Sequence, residues 1–185
     1  MKNGDIHKKM FVPEPPESCD LSQEHILLHC CCAPCSTAII EWMVGAGLRP
    51  GIFFSNSNIV PFREYSIRRD ELIRYAAAHG LETIDDEYDH AAWLAFVRRL
   101  ETSPVAEPVV RQVQGSVIRI ADMPERGPRC LECFKFRLLR AARYAVANGY
   151  TLLTTTLASS RWKDLEQVDT AGRWACDVVN GACDN

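Results

Sequence analysis

"ILLHCCCAPCSTAII" occupies residues 26–40, and its reading decides the fold. Its first part, extended by His25 to "HILLHC", is a short apolar run with strand character. Its last part continues as "STAIIEWMVGAG", with apolar residues at helical spacing, Ser36 as a candidate N-cap, and Gly45 or Gly47 as the stop. A strand that passes straight into a helix opens a βαβ unit, because parallel strands need a crossover connection. At the junction stand Cys30, Cys31, Cys32 and Cys35, four thiols in six positions.

Downstream the same alternation recurs. "RPGIFFSNSNIVP" predicts a strand around Ile52 to Phe54 and then an Asn/Ser/Pro loop. "FREYSIRRDELIRYAAAHG" predicts a helix that turns its Glu and Arg to water and closes at Gly80. "LETIDDEYD" is a third short strand ending in acids, and "HAAWLAFVRRLE" another helix. Residues 102–128 carry Pro104, Pro108, Pro124 and Pro128 and read mostly as loop, with "VVRQVQGSVIRI" as a strand pair or a short excursion. "CLECFKFRLLRAARYAVANG" is a long helix, "YTLLTTTL" a further strand, and "SSRWKDLEQVDTAGRWACDVV" restarts a helix. The expected fold class is therefore α/β, three layers (α/β/α) around a mainly parallel sheet. Ligands of such sheets bind beyond the C-terminal strand edges, which is where the cysteine turn falls. The loops after "IFF" and "LLTTTL" are expected on the same rim.

Composition bounds the rest. The 185 residues suit one domain, and 47% hydrophobic content is ample for a core. We expect that domain at 25–185, behind a flexible leader at 1–24 rich in Pro and Glu. A net charge of −3 and a pI of about 6.0 exclude a global basic field, leaving only local patches for nucleic acid. No apolar run approaches the roughly 18 residues of a membrane span, so no membrane partner is expected. The opening residues lack the apolar core of a signal peptide, which points to the cytoplasm. In that reducing compartment nine cysteines argue for metal ligation or redox chemistry ahead of structural disulfides.

A second thiol pair, Cys130 and Cys133 in "GPRCLECFKFR", opens the long helix with C-x-x-C spacing. Helix starts supply free N–H groups and a positive dipole end, both favourable to anionic sulfur. Two such half-sites suit a tetrathiolate centre holding zinc, Cu(I) or an iron–sulfur cluster. Zinc sites commonly use two C-x-x-C knuckles, whereas the adjacent Cys31 and Cys32 suit a cluster whose corners are separate irons. Spacing leaves both open. A thioredoxin-like dithiol would not require the additional thiols.

Four blocks of sequence go further. "LLHCCCAPCS", "FFSNSNIVPFREYSIRR", "EYDHAAW" with "GPRCLECFKFRL", and "TTTLASSRWKD" span about residues 25–172. In this order they resemble the cobalamin-independent epoxyqueuosine reductase family, the QueH type. The resemblance implies an adenine nucleotide alpha hydrolase-like (HUP-like) fold with cysteines in place of a Gly-rich phosphate loop. It implies reduction of epoxyqueuosine to queuosine at the wobble position of a tRNA anticodon, by an oxidoreductase that draws on an unidentified electron donor. Carried over by residue, Cys31, Cys32, Cys130 and Cys133 are the ligands of a 4Fe-4S cluster. Cys35 and Asp89 lie in the same motifs and serve the reaction, through an additional iron ion or the substrate, while Asp89 reads equally as the N-cap of the helix at "HAAWLAF". Cys30 stands where the family varies and is left out of the ligand set.

Family members continue through another strand and helix to a C-terminal Cys-x-Cys. This sequence ends "GRWACDVVNGACDN", so the chain is expected to lack that part, and Cys176 and Cys183 belong to no motif, nor does Cys19. For the substrate, Asn56 and Asn58 are candidates for base or ribose contacts, and Arg161 and Lys163 for phosphates on the active rim. Trp162 is a candidate for base stacking, while Trp42, Trp93 and Trp174 are expected to pack. Arg63, Arg68, Arg69, Arg74, Arg98, Arg99, Arg137, Arg140 and Arg143 are expected to be mostly solvated helix arginines. The alternative function is a non-catalytic zinc- or iron–sulfur-binding, or thiol redox-sensing, protein. A nucleotide-binding domain of ATP-pyrophosphatase type is disfavoured by the lack of a Gly-rich loop after the first strand.

Overall fold

Ile26–Cys30 forms β1, and every one of its residues is buried, as a strand covered on both faces requires. Ile26, Leu28 and Cys30 point to one side, into a core with Ile52, Phe54, Tyr65 and Leu72. Leu27 points to the other, with Phe53, Ala141 and Ala145. The structure, a computed structural model, describes residues 21–102 and 119–181. Most of the expected leader, most of "VVRQVQGSVIRI", and Cys19 and Cys183 lie outside the described residues.

β1 pairs in parallel with β2 (Gly51–Phe54) and with β4 (Leu152–Thr155), while β3 (Thr83–Asp85) pairs in parallel with β2. The sheet order is β3-β2-β1-β4. One face carries α1 (Ala33–Gly45) and α2 (Phe62–Ala78). The other carries α4 (Pro128–Ala147), with α3 (His90–Thr102) and α5 (Leu165–Gly181) packed against α4. This is the expected three-layer α/β/α fold with a parallel sheet. Fully burying Leu27, Leu28, Ile52, Phe53 and Phe54 contributes roughly 1.5–3 kcal/mol apiece.

The order of strands creates one special place. The chain builds outward from β1 through β2 to β3, then returns across the opposite face to lay β4 on the other side of β1. Connections leaving the C-terminal ends of β1 and β4 therefore diverge, and a crevice opens between them. Helix ends keep the turns short. At the end of α1, Gly47 takes φ +82, Leu48 N donates to Met43 O, and Gly47 N donates to Val44 O. Only glycine adopts that left-handed position cheaply, which explains the stop read from the sequence.

Several boundaries differ from expectation. α1 begins at Ala33 with extended Cys32 as its N-cap, so Ser36 is not the cap. Ser36 instead lies within the helix and donates from Oγ to the Cys32 carbonyl at 2.8 Å. α4 starts earlier than its cysteines, at Pro128, whose missing N–H costs nothing in a first turn. After β4 the chain makes a 3-10 turn at Thr156–Ser159 and a short loop before α5. Asp164 caps α5, accepting from Gln167 N at 3.1 Å.

Candidate metal centre and its cavity

The thiol group is built by strand alternation followed by a helix start. Cys30 is the last residue of β1 and enters the α1–α2 core, where burial pushes its thiol up to about 12. Cys31 turns to the opposite side. Cys32 is extended (φ −173, ψ 164), and Cys35 sits in the first turn of α1, next to Pro34. The sulfurs of Cys31, Cys32 and Cys35 all lie within 4.8 Å of one another. Such a trio of soft donors at a helix N-terminus can hold a thiophilic metal.

The return from β4 closes this group from the other side. Thr156 Oγ1 accepts from Cys31 N at 3.3 Å and from Ser36 Oγ at 3.3 Å, and stands 3.8 Å from the Cys31 sulfur. Ser159 Oγ donates to the Cys35 carbonyl at 2.8 Å. Lys163 Nζ lies 3.9 Å from Cys31 Sγ. Cys31 is held well below the usual thiol range, first by the Cys32 thiol, whose sulfur is 4.0 Å away and shares its proton, and then by Arg137 and Lys163. Cys32 is correspondingly raised as the partner that keeps the proton.

Cys130 and Cys133 stand outside this close sulfur group and line a cavity of about 380 Å³ together with Asn58, Trp93, Arg137 and Lys163. Cys130 also packs against the apolar cluster that contains Cys31. Arg137 is only 3% exposed, and its guanidinium donates to Ser55 O at 2.9 Å and Asn56 Oδ1 at 2.5 Å. Asn56 in turn donates to the Cys30 carbonyl at 3.2 Å, tying the arginine to the cysteine turn. Beneath them His29 is fully buried between Thr155 Oγ1 at 2.8 Å and Ser55 O at 3.3 Å. Burial, then Arg137, keeps its imidazole well below the ordinary value and neutral. Burial raises the Cys133 thiol, and Arg137 opposes that rise.

The sequence candidates fall into distinct settings. Asn56 is 2% exposed and spends both ends of its amide inside the protein, supporting the site from behind. Asn58 lines the cavity, and its Oδ1 is buried without a hydrogen-bond partner. Trp93 lines the same wall, where its indole N–H reaches the Cys133 thiol and opposes the rise caused by burial. An orphaned acceptor on the cavity wall marks a seat for the donor group of a polar ligand. Asp89 caps α3, its Oδ1 accepting from Ala92 N at 2.8 Å while its own N–H donates to Ser57 Oγ at 3.0 Å. The Arg161 guanidinium stacks 4.8 Å from the Trp162 ring, and Trp162 stands at the cavity rim, 63% exposed. Cys176 lies on α5 beside Leu153 and Val168, lining a different groove from the other thiols.

Arg137 and Arg140 correct the expectation of solvated helix arginines. The first is buried in the site, and the second forms a bidentate ion pair with Asp86 at 2.5 and 2.7 Å. Spacing carried the signal for Arg137: Cys130, Cys133 and Arg137 stand at i, i+3 and i+7, one helix face. Arg126 was also missed. It adopts φ +61 and donates to Arg161 O at 2.7 Å and Trp162 O at 3.3 Å, joining the two loops at the cavity mouth. All seven described cysteines are free thiols, so the donor set suits a soft metal or cluster.

Known proteins resemble this chain over most of its length. A family model described as epoxyqueuosine reductase QueH matches residues 26–108 and 110–181. The chain is similar to the epoxyqueuosine reductase QueH of Acinetobacter baylyi, 38% identical over 80% of this chain and 59% of that protein. It is similar to that of Haemophilus influenzae, 36% identical over 93% of this chain and 63% of the relative. The counterpart from Thermotoga maritima is 28% identical over 80% of this chain and 66% of its own length. The chain thus spans less than two thirds of the length of these relatives.

Proposed function

The chain belongs to the epoxyqueuosine reductase QueH family, and we propose that it reduces epoxyqueuosine to queuosine at the wobble position of a tRNA anticodon. The observation that carries this reading is the group of Cys31, Cys32 and Cys35 at the β1–β4 crevice, beside a cavity lined by Cys130 and Cys133. Cys31, Cys32, Cys130 and Cys133 are the proposed ligands of a 4Fe-4S cluster. Cys35 and Asp89 are kept for an additional iron ion or the substrate oxygen. A cluster bound there supplies electrons one at a time.

Turning the epoxide into an alkene breaks both of its C–O bonds and consumes two electrons and two protons, the oxygen leaving as water. The two electrons are drawn from an unidentified external donor. Asn58 Oδ1 offers an acceptor to the modified base, recovering a hydrogen bond it otherwise lacks, and Trp93 stands on the same wall. Lys163 lies close enough to the sulfur group to hold a proton near the leaving oxygen. Arg161 and Trp162 at the rim suit the phosphate and a neighbouring unstacked base of an anticodon loop. Seven free thiols fit a reducing cytoplasm, and no helix among the described residues is long and apolar enough to cross a membrane. Residues 25–185 are read as one α/β domain.

A second reading has its own observation. Three sulfurs within 4.8 Å also suit a single thiolate-bound zinc ion in a non-catalytic protein. Anaerobic isolation with iron and sulfide separates the two. The reductase reading expects a coloured protein with iron and acid-labile sulfide bound, and queuosine formed from epoxyqueuosine-tRNA under a chemical reductant. A colourless protein holding one zinc per chain would overturn it.

A further inference from the structure

Arg137 is a buried cation whose partners are neutral. It receives contacts from Ser55 O and Asn56 Oδ1, and among the described residues it forms no ion pair with a carboxylate. Arg140, one turn along the same helix, is paired with Asp86 and shows what an ordinary structural arginine looks like here. Burying a charge costs several kcal/mol unless an opposite charge offsets it. The cavity onto which Arg137 faces offers the sulfurs of Cys130 and Cys133 for that purpose. Cys133 precedes it by four residues on one helix face. Asn56 grips the guanidinium and the Cys30 carbonyl together, so the charge is fixed relative to the cysteine turn.

We propose that Arg137 is the counter-charge of the sulfur centre, a positioning residue that raises the reduction potential of the metal group held there and slows its loss. The proposal rests on the reading of that centre as a thiolate-bound metal site. Adding an electron to the centre adds negative charge, so a fixed cation nearby favours the reduced state. Neutralising that cation moves the potential downward. Asn56 enters as a control, because a carboxylate at its position would cancel the charge without removing the arginine.

The test uses the full chain, loaded anaerobically with iron and sulfide, as wild type and as Arg137→Lys, Arg137→Met and Asn56→Asp. Midpoint potentials are read by spectroelectrochemical titration, and metal release is timed against a chelator. Arg137→Met and Asn56→Asp are expected to shift the potential to lower values and release metal several-fold faster. Arg137→Lys, which keeps the charge but loses the forked hydrogen bonds, is expected to stay near wild type. Equal shifts in the Lys and Met variants would mean a purely structural clamp and overturn the proposal. So would unchanged values in Met and Asp variants. If Arg137→Met fails to fold, Asn56→Asp decides, judged against Asn56→Leu, which loses the same bond to the Cys30 carbonyl without adding a charge. If the wild type takes up zinc and no cluster, the reductase reading fails. The counter-charge is then judged by zinc release, with the same order expected and uniform rates overturning it.

Discussion

Cys30 and Cys31 are adjacent in the chain but belong to different faces of the sheet, because successive strand side chains alternate. Cys30→Ala should therefore cost about 1 kcal/mol of stability, the price of a small buried side chain, with full metal content by elemental analysis. Cys31→Ala should lose metal, and loss in the Cys30 variant would break this assignment. Asp89 poses a different question, since it caps α3 and is also proposed to serve the reaction. Asn caps helices as well as Asp does, so Asp89→Asn should unfold at the wild-type denaturant concentration, whereas Asp89→Ala loses about 1 kcal/mol. Turnover by the Asn variant should nevertheless fall at least about tenfold, on the scale of a lost proton donor or ligand. Unchanged turnover confines Asp89 to its cap. At this scale the sequence made the thiols legible, because clustered cysteines have few other uses. It did not reveal that Asn56 is consumed inside the protein and that Asn58 keeps a buried, unpartnered Oδ1, since both are ordinary turn residues until burial separates them.

α2 is attached to the sheet by few side chains, with Tyr65, Leu72 and Ala76 as its buried residues. Tyr65 is the anchor, donating from its hydroxyl to Asp85 Oδ1 at 2.9 Å at the end of β3. Burial, and then that bond to Asp85, hold its phenol above the ordinary value. The unfolded chain ionises this group near pH 10 while the folded one resists. Its contribution is thus complete below about pH 10 and is lost as pH rises further. Tyr65→Phe should cost about 1 kcal/mol at neutral pH through the missing hydrogen bond. The gap between wild type and variant should narrow above about pH 10, read from urea midpoints. A gap independent of pH would show that the hydroxyl bond is not the source. Elements of this kind were legible from apolar spacing and glycine stops, as at Gly47 and Gly80. The start of α1 was not, because thiols are poor caps and the true N-cap, Cys32, carries none of the usual Ser, Thr, Asp or Asn signal.

For the whole molecule, alternating strands and helices indicated a parallel sheet, but no local feature states on which side of β1 the last strand is added. That choice is made by tertiary packing of α4 and α5, and it brings Cys130 against the cluster that contains Cys31, Cys32 and Cys35. The proposed ligands come from points about a hundred residues apart in the chain, one group on β1–α1 and the other on α4. A metal held by both would close a long loop and join elements on opposite faces of the sheet. Closing a loop of that length removes unfolded-state entropy worth roughly 4–5 kcal/mol in the cross-link picture, before strain is subtracted. Metal binding should therefore raise the melting temperature, at about 2–4 °C per kcal/mol for a chain of this size. Cys130→Ala removes a ligand and should abolish most of that increment while leaving the metal-free melting temperature within a few degrees of wild type. Scanning calorimetry of the loaded and chelated forms reads both quantities. If loaded Cys130→Ala keeps the full increment, the metal is held by Cys31, Cys32 and Cys35 alone, and the centre does not join the two faces of the sheet.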